Sequence, residues 1–145
     1  MRVRYSTLLL LLLTVTLFQA VPAEDPRSLE QRLAQQFDYD DPKGSESRLL
    51  ALANQAVAAH DITSLAEILT QVARAQALQG HLDEASQTLD RAAALSTESV
   101  RPRIRILIER GRLLRRQGHL DTARVNFEKA YGEVACFLYT PVLAM

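Results

Sequence analysis

Leu69–Ala92, LTQVARAQALQGHLDEASQTLDRA, is the stretch from which the fold can be read, because the chain uses it twice. Leu107–Ala130 reads LIERGRLLRRQGHLDTARVNFEKA, and both copies carry Gln-Gly-His-Leu-Asp, at Gln79–Asp83 and Gln117–Asp121. Aligned on that block, at an offset of 38 residues, Ala85 meets Ala123, Leu89 meets Phe127 and Ala92 meets Ala130. A unit used twice points to stacked supersecondary elements, each burying the face its neighbour cannot bury alone. Within the first copy, Leu65, Ile68, Leu69, Val72, Ala73 and Ala77 recur at helical spacing and predict one apolar helix face. Ser64-Leu65-Ala66-Glu67 has the form of a capping box at its start. Gly80 should stop that helix, since only glycine takes a positive φ without a Cβ clash. Asp83 is then the expected cap of a second helix that buries Ala85, Leu89 and Ala92. The second copy repeats the plan with Gly118 as stop, Asp121 as cap, and Ala123, Phe127 and Ala130 inward.

Small residues stand where helices must approach closely: Ala73 and Gly111 in the first helices, Ala85 and Ala123 in the second. These residues and spacings resemble the tetratricopeptide repeat (TPR), over Ala66 to about Ala135. The usual first-helix aromatics are replaced by Leu69 and Leu107 at one site and by Gln76 and Leu114 at another. The usual period is about 34 residues. Here it is four longer, about one helical turn, which leaves the helix faces nearly in phase. The resemblance implies an all-α fold, a short α-α helical solenoid with N-terminal flanking helices, and a peptide-binding scaffold as its role.

The flanking sequence divides the rest of the chain. Arg2 and Arg4, the apolar run Leu8–Phe18 and Val21-Pro22-Ala23 before Glu24 have the three-part form of a signal peptide over residues 1–23. The expected location is therefore outside the cytosol, periplasmic or extracellular. The competing reading is a membrane anchor over residues 5–23, whose 19 uncharged residues come close to a bilayer's span. Residues 24–44 are polar and partly helical, with Leu29, Leu33 and Phe37 on one side of a segment from Ser28 to Phe37. Asp38–Gly44 reads as an acidic turn, since Pro42 and Lys43 break the alternating oxygen ligands of a calcium loop. Residues 45–135 form the expected helical domain. Its leading helix, Ser45–His60, turns Leu49, Leu50, Leu52, Ala53, Ala56 and Val57 inward. Gly132 weakens the last helix, and residues 136–145 are an apolar tail, unlike the polar cap that usually ends a solenoid. That tail either folds back as an improvised cap, meets a partner or a second copy, or marks a truncated member of a longer array. Cys136 is the lone cysteine, so no internal disulfide exists, and it reads as a small buried apolar residue.

The chemistry suggested by the sequence is that of binding. Residues 24–98 carry 6 basic and 13 acidic side chains, net −7; residues 99–145 carry 9 and 4, net +5. At about 100° per residue, Arg101, Arg105, Arg112, Arg115 and Arg116 fall in one sector of the second copy's first helix, with Ile108 among them. Arg103 and Arg110 point to the apolar side, with Asp90 and Glu128 as candidate partners. The resemblance adds the positions that line a TPR groove: Arg105, Ile108, Arg112, Arg115 and Arg116 here, and Glu67, Thr70, Arg74, Ala77 and Leu78 in the first copy. Arginine's planar fork matches carboxylates, so the expected partner is an acidic protein or peptide segment or a free C-terminal carboxylate. The competing reading is a solvated face whose arginines pair with Glu109 and the acidic first half. Export, near-neutral charge and sparse aromatics argue against nucleic acid. His81 and His119 share a turn position with no spaced ligand set beside them, and His60 suits a helix C-terminus. No cofactor is implied, and no nucleophile–base pair, phosphate loop or paired-carboxylate motif points to an enzyme.

Overall fold

The computed structural model describes residues 26–95 and 99–139. The segment read as signal peptide and most of the apolar tail lie outside them, as do residues 96–98. The described chain is all-α: α1 (Pro26–Gln36), α2 (Pro42–Ala58), α3 (Ile62–Leu78), α4 (Leu82–Leu95), α5 (Val100–Arg116) and α6 (Leu120–Tyr139). No described helix is long and apolar enough to cross a membrane.

The repeated block folds as its glycines dictate. Gly80 has φ +87° and Gly118 has φ +84°. In the first turn the His81 amide donates to the Gln76 carbonyl at 3.0 Å and the Gly80 amide to Ala77 at 3.2 Å. In the second, His119 donates to Leu114 at 2.9 Å and Gly118 to Arg115 at 3.2 Å. This paired pattern satisfies carbonyls left over at a helix end. A third turn of the same kind closes α2, where the Asp61 amide reaches Ala56 at 2.9 Å and His60 reaches Val57 at 3.1 Å. There the left-handed residue is His60, at φ +55°. His60 thus lies just beyond the helix end, in a conformation that glycine adopts at lower cost.

Four helix starts differ from the sequence reading. Asp61, not Ser64, caps α3, accepting from the Ser64 amide at 2.9 Å. The turn through Ala59 and His60 leaves Asp61 immediately before α3, so the helix begins before Ser64. Glu67 is therefore one turn too deep to close a capping box, and it is buried. Asp83 and Asp121 lie within the first turns of α4 and α6, which start at Leu82 and Leu120. α2 starts at Pro42 rather than Ser45, because Asp41 accepts from the Gly44 amide and Pro42 fits the first helical turn.

α3 holds the core together. Its Ile68 and Val72 pack with Leu29, Leu33, Leu49 and Leu52 of α1 and α2. Leu69 joins Ala92 and Ile106, while Ala73 and Ala77 join Ala85, Leu89 and Leu113. Fully burying a side chain such as Leu89, 1% exposed, contributes about 1.5–3 kcal/mol. α2, α3 and α4 pack successively, α5 packs on α3, α4 and α6, and α1 covers α2 and α3. Of the face expected inward on α2, Leu50 and Val57 are exposed, because α1 and α3 cover only the side bearing Leu49, Leu52, Ala53 and Ala56. α6 runs through Gly132 to Tyr139, so the expected start of the tail at residue 136 falls inside a helix. Cys136 is exposed rather than buried, because no described helix covers that side of α6.

Candidate functional site

α3 and α5 run side by side, and beside the apolar contacts of Leu69, Ala73 and Ala77 with Ile106 and Leu113 they carry a line of charged residues. Glu67 and Arg74 on α3 lie seven residues apart, close to two turns. Arg101, Arg105, Glu109 and Arg112 on α5 follow at steps of four, four and three, which holds them on one face. This seam has two halves.

In the first half, Glu67 sits between Arg101 Nε at 3.6 Å and Arg105 Nε at 3.5 Å. Glu30 of α1 caps the same two arginines, at 2.7 Å from Arg101 Nη2 and 3.4 Å from Arg105 Nη2. Burial pushes the Glu67 carboxyl above the usual range, and Arg101 and Arg105 offset only part of that. Arg101 and Arg105 are thus engaged internally. Ile108 is half-buried and lies apart from the concavity that follows.

The second half opens into a concavity of about 180 Å³. Ala73, Ala77, Ala85, Leu89 and Leu113 supply its apolar lining, and Tyr39, Arg74, Glu109, Arg112, Arg115 and Arg116 its polar one. Arg74 is held by the turn between α1 and α2: its guanidinium stands 5.4 Å from the Phe37 ring centre and 5.0 Å from that of Tyr39, and it donates to the Tyr39 hydroxyl. The two rings meet edge to face, 5.1 Å apart. Glu109 is 6% exposed and accepts from Arg112, with Arg74 Nη1 3.9 Å away. Desolvation raises its carboxyl, against the pull of Arg112 and Arg74. Arg115 and Arg116, in the last turn of α5, are exposed and have no hydrogen-bond or ion-pair partner among the described residues.

The arginine face expected from helical spacing is therefore divided. Arg74, Arg112, Arg115 and Arg116 come together around one concavity, while Arg105 lies on the Glu30–Glu67 side of the seam. The pairing of arginines with the acidic first half holds for Arg101 and Arg105, and pairing with Glu109 holds for Arg112. Arg110 pairs with Asp90 at 2.6 Å, as one of its candidate partners; Arg103 instead meets Glu133 at 2.7 Å, and Glu128 faces Arg124. Sequence reasoning missed Tyr39, Phe37 and Glu30, which reach the seam from another part of the chain. Glu109, which the sequence offered as an arginine partner, falls between Arg105 and Arg112 on their face. Among the described residues no group of three or more His, Cys, Asp or Glu side chains is placed to hold a metal. Comparison with family models, curated proteins and solved structures returned no match to this chain.

Proposed function

We propose that the chain is a non-catalytic, TPR-like scaffold acting outside the cytosol, which binds a protein or peptide through the concavity lined by Arg74, Arg112, Arg115 and Arg116. The observation that supports it best is that two guanidiniums without partners among the described residues, Arg115 and Arg116, line the same concavity as an apolar floor. An acidic side chain or a C-terminal carboxylate meets the arginine forks, and a neighbouring aliphatic side chain fills the floor. Sites for whole small molecules run to about 300–1,000 Å³. At about 180 Å³ this one suits a single anchoring residue of a longer segment. The N-terminal basic-apolar-small pattern supports export of the mature chain.

The test is retention on an array of acidic peptides made both with free and with amidated C-termini. The wild type should retain a subset, and Arg115→Glu with Arg116→Glu should lose at least tenfold in affinity while the helical circular dichroism is unchanged. Equal retention by the double variant would defeat the reading.

A second reading, self-association, is favoured by α6, where Leu120, Tyr131, Phe137 and Leu138 are each more than 60% exposed. Sedimentation equilibrium tests it: Tyr131→Glu with Phe137→Glu should convert an oligomer to a monomer. A wild type that is already monomeric ends that reading.

A further inference from the structure

The concavity contains a carboxylate of its own. Glu109 projects from α5 between Arg105 and Arg112, is 6% exposed, and meets the guanidiniums of Arg112 on its own helix and Arg74 on α3. The other charged or titratable groups around it are Arg105 one turn back, Arg115 and Arg116 at the end of α5, and the Tyr39 phenol from the α1–α2 turn. α4 contributes Ala85 and Leu89, which are apolar. The side chains of Arg74 and Arg112 are 25% and 39% exposed, so each fork touches Glu109 and also reaches the surface.

We propose that Glu109 is a built-in competitor for anionic ligands of this concavity: its carboxylate takes the forks of Arg74 and Arg112 that an incoming carboxylate would otherwise engage. This rests on the reading that the concavity binds an anionic segment, and it adds how that binding is regulated. With Glu109 ionised, the four lining arginines carry a local net charge of +3. A ligand is then left chiefly with Arg115 and Arg116, both solvated and worth little individually. With Glu109 neutral, all four arginines act on the ligand. Burial favours that neutral form, whereas a peptide's terminal carboxyl ionises near 3.5 and stays charged. Affinity for an anionic peptide end therefore rises as the medium becomes mildly acidic. The same contact has a second effect. It holds Arg74 and Arg112 aimed into the concavity before any ligand arrives.

The experiment uses the full mature chain and a tetramethylrhodamine-labelled hexapeptide, Gly-Ser-Asp-Glu-Val-Leu with a free C-terminus, read by fluorescence anisotropy at pH 7.5 and 5.5. Wild type should bind more tightly at the lower pH, by up to about tenfold, the scale of one charge removed several ångströms away in partly screened surroundings. Glu109→Gln keeps the shape and should bind more tightly than wild type at pH 7.5, with a flatter profile. Thermal melts by circular dichroism confirm that the variant is folded. If it is not, the wild-type pH series stands alone, and a flat series overturns the proposal. Wild-type binding that Glu109→Gln leaves equal or weakens also overturns it, while the binding role of the concavity survives. If neither protein binds at either pH, and Arg115→Glu with Arg116→Glu behaves identically, the binding role fails and the competitor role with it.

Discussion

The two hairpins begin from one sequence block and end in different surroundings. In α3–α4, Ala73 packs in one cluster with Leu89, and α3 buries twelve of its seventeen residues because α1, α2, α4 and α5 surround it. In α5–α6 the equivalent pair is Gly111 and Phe127, and α5 buries five of its seventeen residues. A Cβ on Gly111 would stand 2.7 Å from two Phe127 ring carbons, so the smaller residue accompanies the larger partner. The block therefore fixes the turn and the hairpin, while burial depends on how many neighbours the rest of the chain supplies. The less covered hairpin contributes most of the charges of the concavity.

The largest expected difference between the hairpins lies at the paired apolar positions. Leu89→Ala should cost about 3 kcal/mol in urea unfolding, since Leu89 is 1% exposed and its neighbours are packed on every side. Phe127→Ala, at a half-buried site, should cost less, about 2 kcal/mol. Costs in the reverse order would break the comparison.

Exchanging the small residues sharpens it. Gly111→Ala gains about 1 kcal/mol of helix propensity but forces the Phe127 ring to move, which typically costs about 1–3 kcal/mol, for a net loss of about 1 kcal/mol. Adding Phe127→Leu, which recreates the pair of the first hairpin, should recover most of that loss in the same unfolding assay.

A smaller effect distinguishes the three turns. Gly80→Ala and Gly118→Ala should each lose about 1 kcal/mol, because alanine is strained at positive φ. His60→Gly, at φ +55°, should gain about 0.5 kcal/mol, after subtraction of the extra unfolded-state freedom of glycine. Thermal midpoints of the three variants check the signs.

The smallest expected effect is a pH dependence carried by the seam. Glu67 and Glu109 have carboxyls raised above their ordinary value near 4.5, so the native state holds protons that the unfolded chain releases. Their contribution to stability is complete below about 4.5 and is lost as pH rises through the raised native values. Urea midpoints should therefore climb as pH falls from 7 toward 5, and Glu67→Gln with Glu109→Gln should flatten that climb. Asp41, held low by the Gly44 amide and Arg48, acts in the opposite sense, but it is fully exposed and adds little.

Local rules made the hairpins legible. Gly80, Gly118 and the apolar positions spaced three and four apart each act within a few residues, and the all-α class follows from them. Asp61 was obscured because two oxygen-bearing residues three positions apart, Asp61 and Ser64, both suit a cap, and the choice depends on where the preceding helix stops. The arginines were legible as a face, but their partners were not. Glu30 reaches Arg101 across 71 positions and Tyr39 reaches Arg74 across 35, distances over which helical spacing carries no information.

The bridge from Glu30 to Arg101 and Arg105 bears on the order in which the chain folds. Each hairpin assembles from residues close in sequence, whereas this bridge must close a loop of 71 residues, and closure entropy grows with loop length. The Glu30 bridge should accordingly close after the hairpins have formed. Amide exchange in α1 should outpace that in α3, as expected of a latch fastened over an already assembled body.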